Sequence, residues 1–377
     1  RKWIRRNGNC GICRLSVISK PAMCDAFVSG NPGKEEKMKI LMGLSGGVDS
    51  CFASRLLAEA GHTVEGAFLR MTAEADAKPA ERAAAELGVP LHILDCRELF
   101  EEYVLKPFTE SYMQGRTPNP CVECNRYVKI RVLCDFAAQN GFDRVATGHY
   151  GRIGQGENGR YFVRRSENEK KDQSYMLWGL TQEQLAMLTL PLENRNKEKL
   201  KQQAEKEGFS AAGQKESMDI CFLPQGGYVP FVEKREGVCP PGDFVDSEGR
   251  VLGRHKGIVH YTVGQRKHLG IALGQKMFVA AIDKETNRVT LVPGGGEFSS
   301  CATVGSLRFQ ALEPMDEGEL SGIFVKLRYA QKPSPVRVRI SGGRAELQAE
   351  RPWRAVTPGQ SAVFYDEDGR LLFGGYI

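Results

Sequence analysis

The stretch "MKILMGLSGGVDSCFASRLLAEAG", residues 38 to 61, constrains the fold more than any other part of the sequence. Lys39–Leu44 is a short apolar run that leads into a glycine-rich turn, which is typical of a buried strand. Cys51–Ala60 carries apolar side chains at helical spacing, and Gly61 follows as a stop signal. The sequence therefore predicts a strand, a tight loop and a helix in direct succession.

The loop "GLSGGVDS" within this stretch predicts an anion site. A strand-to-helix turn directs free backbone N–H groups and the positive end of the helix dipole at one point. Gly46 and Gly47 permit a close backbone approach, while Ser45 and Ser50 add hydroxyl groups. The loop lacks the lysine of a Walker A sequence, so it is not the usual P-loop. The alternative is a capped helix after a tight turn, with Asp49 in the favoured first helical turn.

The composition predicts a folded protein of a reducing compartment. The chain has 377 residues, enough for two or three domains, with 41% hydrophobic and 26% charged residues. No apolar run approaches the roughly 20 residues of a membrane span, and we expect a cytoplasmic protein with no membrane partner. Eleven loosely spaced cysteines do not resemble a secreted disulfide framework, so they indicate catalysis, metal binding or packing. The net charge of +6 permits an acidic partner.

The first 37 residues differ from the rest of the chain. They show no clear hydrophobic periodicity, and Met38 begins the first convincing strand. Cys10 and Cys13 have a spacing that metal ligands use, and Cys24 follows. We expect a flexible extension of unknown role, with thiols that are incidental to the function.

Three patterns divide the remaining sequence into domains. Residues 38–224 alternate strands and helices, which predicts a Rossmann-like domain whose parallel sheet binds ligands at the carboxyl ends of its strands. Residues 225–297 are rich in Gly and Pro and predict a small central β-rich domain. Residues 298–377 form short alternating strands separated by turn signals, which predicts a C-terminal β-barrel. The predicted fold class is α/β.

Two cysteine motifs carry potential chemistry. The segment "GRTPNPCVECNRYVKI" places Cys121 and Cys124 where a Pro-rich loop enters a helix, and a helix N-terminus lowers the pKa of a thiol. The segment "ESMDICFLP" holds Cys221 between apolar residues. A reactive pair of Cys124 and Cys221 would suit sulfur transfer. The alternative is that Cys221 is a core residue, because free cysteine is often buried.

From Met38 to Ile377 the sequence resembles the tRNA-specific 2-thiouridylase family, which shares its glycine loop with other ATP pyrophosphatases of the PP-loop type. The resemblance rests on motifs that occur in the family's order: "GLSGGVDS", "GRTPNPCVECNRYVKI", "ATGHYGRI", "KDQSYMLWGL", "SMDICFLP", "HYTVGQRKHLGIA" and "VKLRYAQKP". The glycine loop alone is common, whereas "TPNPCVECN" together with "MDICF" is much more specific.

The resemblance implies an ATP-dependent tRNA-uridine 2-sulfurtransferase. In such an enzyme O2 of the wobble uridine attacks the α-phosphate of ATP, and sulfur then replaces the adenylated oxygen. Cys221 would carry the sulfur as a persulfide that a donor or relay protein supplies. Cys124 would release that sulfur as hydrosulfide or act as a nucleophile, and the cycle would end in a Cys124–Cys221 disulfide. A monomer that binds tRNA, ATP and Mg²⁺ is expected.

The resemblance also implies which residues form the site. The nucleotide pocket would comprise Gly43, Leu44, Ser45, Gly46, Gly47, Val48, Asp49, Ser50, Leu69 and Gly148, with Mg²⁺ offsetting the charge that Asp49 adds. The target base would face Asn119, Pro120 and Cys121. Further tRNA contacts would come from Lys171, Asp172, Gln173, Arg328 and Tyr329. Recognition of the splayed anticodon loop suits a clamp of two or three domains, because RNA sequence is read mainly in unpaired loops.

The sequence departs from the common form of the family in three places. Cys121 stands where family members often have Asp, and His268 stands where they usually have Gly. The region after "AFLRM" is shorter than usual. Because Cys121, Cys124 and Cys221 make three thiols, a [4Fe–4S] cluster with an open fourth position is an alternative to the persulfide route.

Two other classes of function stay open at this point. One is another PP-loop enzyme, either a tRNA-modifying enzyme or an amidotransferase-type ligase such as a GMP synthetase. The paired thiols count against that class, as does the lack of an upstream glutaminase domain. The other class is a noncatalytic RNA-binding or metal-binding protein, which the combined nucleotide and thiol motifs disfavour.

Overall fold

The computed structural model describes residues 36–193, 195, 197–213 and 220–377. The predicted extension, up to residue 35 and including its three cysteines, lies outside the described residues. Lys37–Ile377 cluster as one unit, so the regions described below contact one another.

Seventeen strands and nine α-helices build the described part of the chain. The strands are β1 (Lys39–Gly43), β2 (Thr63–Arg70), β3 (Leu91–Asp95), β4 (Arg144–Ala146), β5 (Arg152–Gln155), β6 (Tyr161–Arg164), β7 (Leu188–Thr189), β8 (Gly242–Val245), β9 (Val251–His255), β10 (Met277–Asp283), β11 (Arg288–Pro293), β12 (Phe298–Phe309), β13 (Glu317–Lys326), β14 (Ser334–Ser341), β15 (Arg344–Arg354), β16 (Ser361–Tyr365) and β17 (Leu371–Tyr376). The α-helices are α1 (Val48–Glu59), α2 (Lys78–Leu87), α3 (Arg97–Phe100), α4 (Lys106–Met113), α5 (Pro120–Glu123), α6 (Ile130–Gln139), α7 (Gln182–Met187), α8 (Lys197–Lys206) and α9 (Tyr228–Glu236).

The first region contains the predicted parallel sheet. Its strands lie in the order β3-β2-β1-β4-β7, and every neighbouring pair is parallel. Ile40, Leu41 and Met42 of β1 are all fully buried, because helices cover both faces of this central strand. The chain order crosses from one side of β1 to the other between β3 and β4, which opens a crevice at the carboxyl ends of β1 and β4.

The other two regions are β structures, as the sequence predicts. A mixed four-stranded sheet has the order β10-β11-β8-β9, and six antiparallel strands close a barrel in the order β12-β15-β14-β13-β16-β17. Burial alternates along β14, so its apolar residues Val336, Val338 and Ile340 fill the barrel while its arginines face outward. The predicted α/β class and its three-part architecture are confirmed.

The barrel packs directly on the first region. The buried Trp178 donates from Nε1 to Ser361 Oγ at 2.9 Å, and Tyr175 donates its hydroxyl proton to the Ser361 carbonyl at 2.9 Å. Trp178 and Val363 of β16 also belong to one apolar core cluster with Leu41 of β1. A continuous core therefore fixes the barrel against the domain that carries the glycine loop.

Two helical segments are not regular α-helices. Glu101–Leu105, between α3 and α4, and Cys124–Lys129, between α5 and α6, form π turns. Such turns occur often at functional sites. His268, which replaces the usual glycine of its motif, has a φ of 61°, so the turn keeps the left-handed backbone that glycine adopts without strain. No described helix combines the length and apolar character that a membrane span requires.

Candidate active site

The glycine loop joins β1 to α1 as predicted, and a close backbone contact fixes its path. Gly46 has a φ of +83°, and a Cβ atom there would lie 2.4 Å from the carbonyl carbon of Pro79 in α2. Gly148, which follows β4, would place a Cβ atom 3.0 Å from the backbone of Asp49 and Ser50. The two crossover loops therefore meet at the carboxyl edge of the sheet, and only glycine allows the contact.

The two serines of the loop brace it from within. Ser50 donates its hydroxyl proton to the Gly47 carbonyl at 2.9 Å and accepts from the Ser45 N–H at 3.3 Å. The hydroxyl of Ser45 is exposed and lies 3.2 Å from that of Ser50. Ser50 therefore holds the loop in shape, while Ser45 faces the solvent side where an anion would enter.

A cavity of about 260 Å³ opens in front of the loop. Seven of the ten residues predicted for the nucleotide pocket line it: Gly43, Leu44, Ser45, Asp49, Ser50, Leu69 and Gly148. Gly46, Gly47 and Val48 are not among its lining residues, since they form the back of the loop. Met71 and Lys129, which the sequence did not single out, also line the cavity, as does His149.

Asp49 is held by two residues that the sequence gave no reason to select. Lys197 Nζ, at the start of α8, lies 2.7 Å from Asp49 Oδ2, and the Tyr150 hydroxyl donates to Oδ1 at 2.7 Å. Lys197 supplies the positive charge beside Asp49 that was expected from Mg²⁺. A single carboxylate at a phosphate site still fits Mg²⁺, which usually combines one or two carboxylates with substrate phosphates and water.

The cysteine loop is fixed by Asn119, which caps α5. Its Oδ1 accepts from the Cys121 N–H at 3.3 Å, and its Nδ2 donates to Met176 Sδ at 3.4 Å. Pro120 is buried at the first position of the helix. Asn119 and Pro120 thus shape the loop that carries the Cys121 thiol. Contact of these three residues with the target base stays a prediction.

The three predicted thiols differ in burial. Cys124 is buried, and its Sγ lies 3.8 Å from Met71 Sδ, while Cys121 is half-buried and Cys221 is exposed. Burial raises the pKa of Cys124 to about 12 and also raises the pKa of Cys121. The charge of Cys221 makes a smaller contribution to both shifts, so the three thiols influence one another electrostatically. All eight described cysteines, these three included, are free.

These thiols do not fit a [4Fe–4S] cluster in the described conformation. Among the residues that the structure describes, no group of three or more His, Cys, Asp or Glu side chains is arranged to hold a metal. Cys124 is buried with its Sγ 3.8 Å from Met71 Sδ, whereas Cys221 is exposed.

His149 stands at the cavity as a neutral ring. Its Nδ1 lies 2.8 Å from Thr147 Oγ1. Burial, with a smaller contribution from the charge of Lys129, lowers the pKa of His149 to about 3. The sequence carried a signal for this residue, because it follows Gly148 directly at the end of β4. A neutral imidazole here can orient a polar substrate but carries no charge to attract phosphate.

Comparison with known proteins identifies the family. The chain matches three family models: the tRNA methyl transferase HUP domain over residues 38–225, the tRNA methyl transferase PRC-barrel domain over 230–293, and the aminomethyltransferase beta-barrel domain over 299–377. A tRNA-specific 2-thiouridylase MnmA from Acetivibrio thermocellus is 38% identical over 359 residues, which cover 90% of this chain and 99% of that protein. Another, from Pelotomaculum thermopropionicum, is 40% identical over 360 residues, covering 90% and 97%.

The chain belongs to the tRNA-specific 2-thiouridylase family. The resemblance drawn from the motifs is thereby confirmed. Among solved structures, a 4-thiouridine synthetase in complex with RNA and ATP matches with a TM-score of 0.33 and 16% identity, covering 49% of this chain and 45% of that chain. A likeness that low adds nothing to the assignment.

Asp172, which the resemblance predicts to contact tRNA in this thiouridylase family member, is buried. Asp172 is 2% exposed, and its carboxylate accepts from the N–H groups of Ser166 and Ser174 and from Arg165 Nε at 3.3 Å. The carboxylate is therefore engaged in a buried network of its own, and contact between Asp172 and tRNA stays a prediction. Its neighbour Lys171 is half-buried, as is Gln173, which lines the nucleotide cavity.

Arg328 and Tyr329 of the thiouridylase barrel differ in their hydrogen bonding and exposure. Arg328 Nη2 donates to the carbonyls of Val263 and Ala355 and to Thr357 Oγ1, so it joins the central region to the barrel. Tyr329 is 38% exposed, and its pKa is raised by burial and by the charges of Asp172 and Cys121. Contact of Arg328 and of the exposed Tyr329 ring with tRNA stays a prediction.

Proposed function

We propose that this chain is an ATP-dependent tRNA-uridine 2-sulfurtransferase that acts on the wobble uridine. One observation carries the proposal: Met71 lines the cavity in front of the glycine loop and its sulfur also contacts Cys124 at 3.8 Å. The predicted nucleotide pocket and the buried thiol therefore share a wall. A base adenylated in that cavity would lie beside the thiols that deliver sulfur.

In the first step the glycine loop holds the ATP phosphates and the target uridine enters beside them. Uridine O2 attacks the α-phosphorus, the bond to the β-phosphate oxygen breaks, and pyrophosphate leaves. The N3 proton of the base passes to water. Backbone N–H groups at the start of α1 stabilise the charge that develops on the phosphate. Mg²⁺ that arrives with ATP would be held by the Asp49 carboxylate and would neutralise phosphate charge.

In the second step the sulfur of a Cys221 persulfide replaces the adenylated oxygen. The Cys124 thiolate attacks the inner sulfur of Cys221–S–SH, the persulfide bond breaks, and hydrosulfide leaves as the Cys124–Cys221 disulfide forms. Hydrosulfide adds to C2, AMP departs with the oxygen, and the S–H proton moves to N3. Alternatively, the terminal persulfide sulfur attacks C2 first and Cys124 then cleaves the resulting disulfide. Both routes consume one persulfide and require a dithiol reductant for the next cycle.

The burial of the two thiols supports this division of roles. Cys221 is exposed, so a persulfide donor or relay protein can reach it, whereas the buried Cys124 is accessible only from within the site. Among the described residues all thiols are free, which agrees with a reducing cytoplasm. Every proposed group belongs to one chain, so a monomer suffices. The exposed ring of Tyr329 would stack on a base near the thiols.

A reconstitution experiment tests the proposal. Unmodified tRNA, Mg-ATP and a persulfide donor are incubated with the enzyme, and the nucleosides are analysed by mass spectrometry. We expect 2-thiouridine at the wobble position with AMP and pyrophosphate as coproducts. A transcript with cytidine at that position and the Cys221→Ser variant serve as controls without product. Release of ADP and phosphate, or sulfur at another nucleoside, would contradict the proposal.

A further inference from the structure

The π turn at Cys124–Lys129 changes which side chains share a face of the helix. In an α-helix five residues make about 1.4 turns, so residues 124 and 129 would point in different directions. The π turn closes its hydrogen bonds over five residues, and the Ile130 N–H donates to the Asn125 carbonyl. This wider turn brings Lys129 round toward the side on which Cys124 lies.

Lys129 lies at the cavity, and its charge also acts on the thiols. The half-buried Lys129 lines the cavity together with Gly148, Asp49 and Met71, and it is the one Lys or Arg among the described residues that line it. Its positive charge also reaches the thiols, because it lowers the pKa values of Cys121 and Cys124 against the larger effect of burial.

Within the described part of the chain no carboxylate pairs with Lys129. Lys197, the neighbouring cation of the site, is bound by Asp49 at 2.7 Å, which leaves Lys129 as the ammonium that can meet an incoming anion. A half-buried ammonium without a paired carboxylate is available to an anionic ligand. The backbone anion site of the glycine loop opens on the same cavity, so a phosphate group is the ligand that fits.

We propose that Lys129 is a catalytic residue whose ammonium binds the α-phosphate of ATP during adenylation and then stabilises the Cys124 thiolate during sulfur transfer. This inference rests on the proposed function and deepens it. The two anions occur in succession, since the thiolate must form when sulfur is delivered to the adenylated base. A fixed positive charge between the phosphate site and the thiol lowers the energy of each anion in turn.

The thiol needs such a charge. Burial alone keeps Cys124 protonated at neutral pH, and only the thiolate attacks a persulfide. The described helix supplies no other Lys or Arg that lowers the pKa of Cys124. The sequence offered no reason to select Lys129, because residues five positions apart do not share a face of a regular α-helix.

Three variants test the inference: Lys129→Met, which keeps the length but removes the charge, Lys129→Arg, which keeps the charge, and Arg131→Met as control. Arg131 lies two residues further on, exposed and paired with Asp135 at 3.7 Å. Circular dichroism establishes that each variant is folded. We expect Lys129→Met to slow single-turnover AMP release with tRNA by about 100-fold, in the range of lost oxyanion contacts, with ATP affinity changed by less than about tenfold. Lys129→Arg should stay within about tenfold of the wild type.

The second readout needs neither ATP nor tRNA. Iodoacetamide alkylation of Cys124 is followed at a fixed pH of about 9 by peptide mass spectrometry, because only the thiolate reacts. We expect the rate to fall several-fold in Lys129→Met and to stay unchanged in Arg131→Met. An unchanged alkylation rate, or AMP release within about threefold of the wild type, overturns the inference. If the wild type itself releases no AMP, the proposed function is wrong, and so is the contact between Lys129 and the α-phosphate. The alkylation rate still decides whether Lys129 stabilises the Cys124 thiolate.

Discussion

The Tyr376 hydroxyl donates a hydrogen bond to the carboxylate of Glu123, so strand β17 of the barrel holds the helix that carries Cys121 and Cys124. The Tyr376 ring also meets Trp178 edge to face, with the ring centroids 5.0 Å apart. On the other side of the same loop, Gln360 Nε2 donates to the Thr117 carbonyl at 2.8 Å. The barrel therefore fixes the cysteine loop at both ends, although it contributes none of the thiols.

The Tyr376 contact predicts a stability difference that grows with pH. Burial raises the pKa of Glu123, and the tyrosine hydrogen bond partly opposes that shift. A raised pKa means that Glu123 favours the folded state while it is protonated, and that this stabilisation is lost as the pH rises through the folded-state pKa. Tyr376→Phe removes the donor, so its deficit in unfolding free energy should be small at acidic pH and reach about 1–3 kcal/mol above the Glu123 pKa.

Urea denaturation at several pH values measures this difference. The control is the same substitution in a Glu123→Gln background, where no carboxylate titrates and the deficit should not depend on pH. A Tyr376→Phe deficit that is constant with pH in the wild-type background would show that Glu123 does not receive this hydrogen bond in solution.

Neighbouring glycines of the loop should respond differently to alanine. Gly46→Ala forces a Cβ atom to within 2.4 Å of the Pro79 backbone at a φ of +83°, which we expect to cost more than about 2 kcal/mol. Gly47 has a φ of −78°, and its Cβ would meet only Ser45 Oγ at 3.5 Å. Gly47→Ala should therefore cost less than about 1 kcal/mol. Thermal and urea denaturation of the two variants would refute the described loop geometry if their stabilities were equal.

Much of the fold could be predicted because local patterns specify it. The apolar run of β1, the glycine loop and the alternating strands and helices give the parallel sheet, and alternating residues such as Val336 and Val338 give the barrel. Most of the cavity lining at the glycine loop could also be predicted, since an anion site at a strand-to-helix turn depends on only a few consecutive residues.

The rest of the site depends on contacts between distant parts of the chain. Lys197 pairs with Asp49 across 148 residues, and no local pattern distinguishes it from the other lysines of α8. Asp172 lies in a motif with Lys171 and Gln173, yet only the tertiary structure shows that its carboxylate is buried. The π turn at Lys129 also lacks a periodic signal, because a single wider turn does not alter the hydrophobic pattern around it.

Substitutions of two adjacent barrel residues should differ in their effects on stability and on tRNA binding. Arg328→Ala removes the hydrogen bonds to Val263, Ala355 and Thr357, so we expect a loss of about 1–3 kcal/mol in unfolding free energy. Tyr329→Ala removes a partly exposed ring that makes no hydrogen bond comparable to those of Arg328 within the described residues, so it should lower stability less than Arg328→Ala while tRNA binding weakens by about 1–3 kcal/mol. Filter binding over a series of salt concentrations measures affinity. If Arg328→Ala lowers the salt slope by about one without loss of stability, Arg328 contacts phosphate instead.

Phe222 should control the position of Cys221. Its ring packs against Phe100, Phe108 and Phe231 with centroid distances of 5.7, 5.1 and 5.4 Å, so it anchors the exposed thiol next to it. We expect Phe222→Ala to slow formation of the Cys124–Cys221 disulfide under mild oxidation by about tenfold or more, because the thiols lose their alignment. Phe222→Leu, which keeps an apolar anchor, should be closer to the wild type. Disulfide formation is followed by peptide mass spectrometry, and equal rates for all three proteins would contradict an anchoring role.

Cys121 distinguishes the persulfide route from an iron–sulfur route. It is half-buried with its pKa raised by burial, and its backbone N–H is bound by Asn119. The persulfide route needs only Cys124 and Cys221, so Cys121→Ala should retain thiolation within about tenfold of the wild type, while loss of either other thiol abolishes it. A cluster would require all three thiolates and would make Cys121→Ala as inactive as Cys124→Ala.

The decisive measurement combines activity with metal content. The wild type and Cys121→Ala are purified without oxygen, iron and acid-labile sulfide are measured, and both are supplied with unmodified tRNA, ATP and a persulfide donor. We expect iron-free protein that thiolates tRNA in both cases, because the described thiols do not share a common centre. About four irons per chain in the wild type, lost together with activity in Cys121→Ala, would establish the cluster and replace the persulfide mechanism.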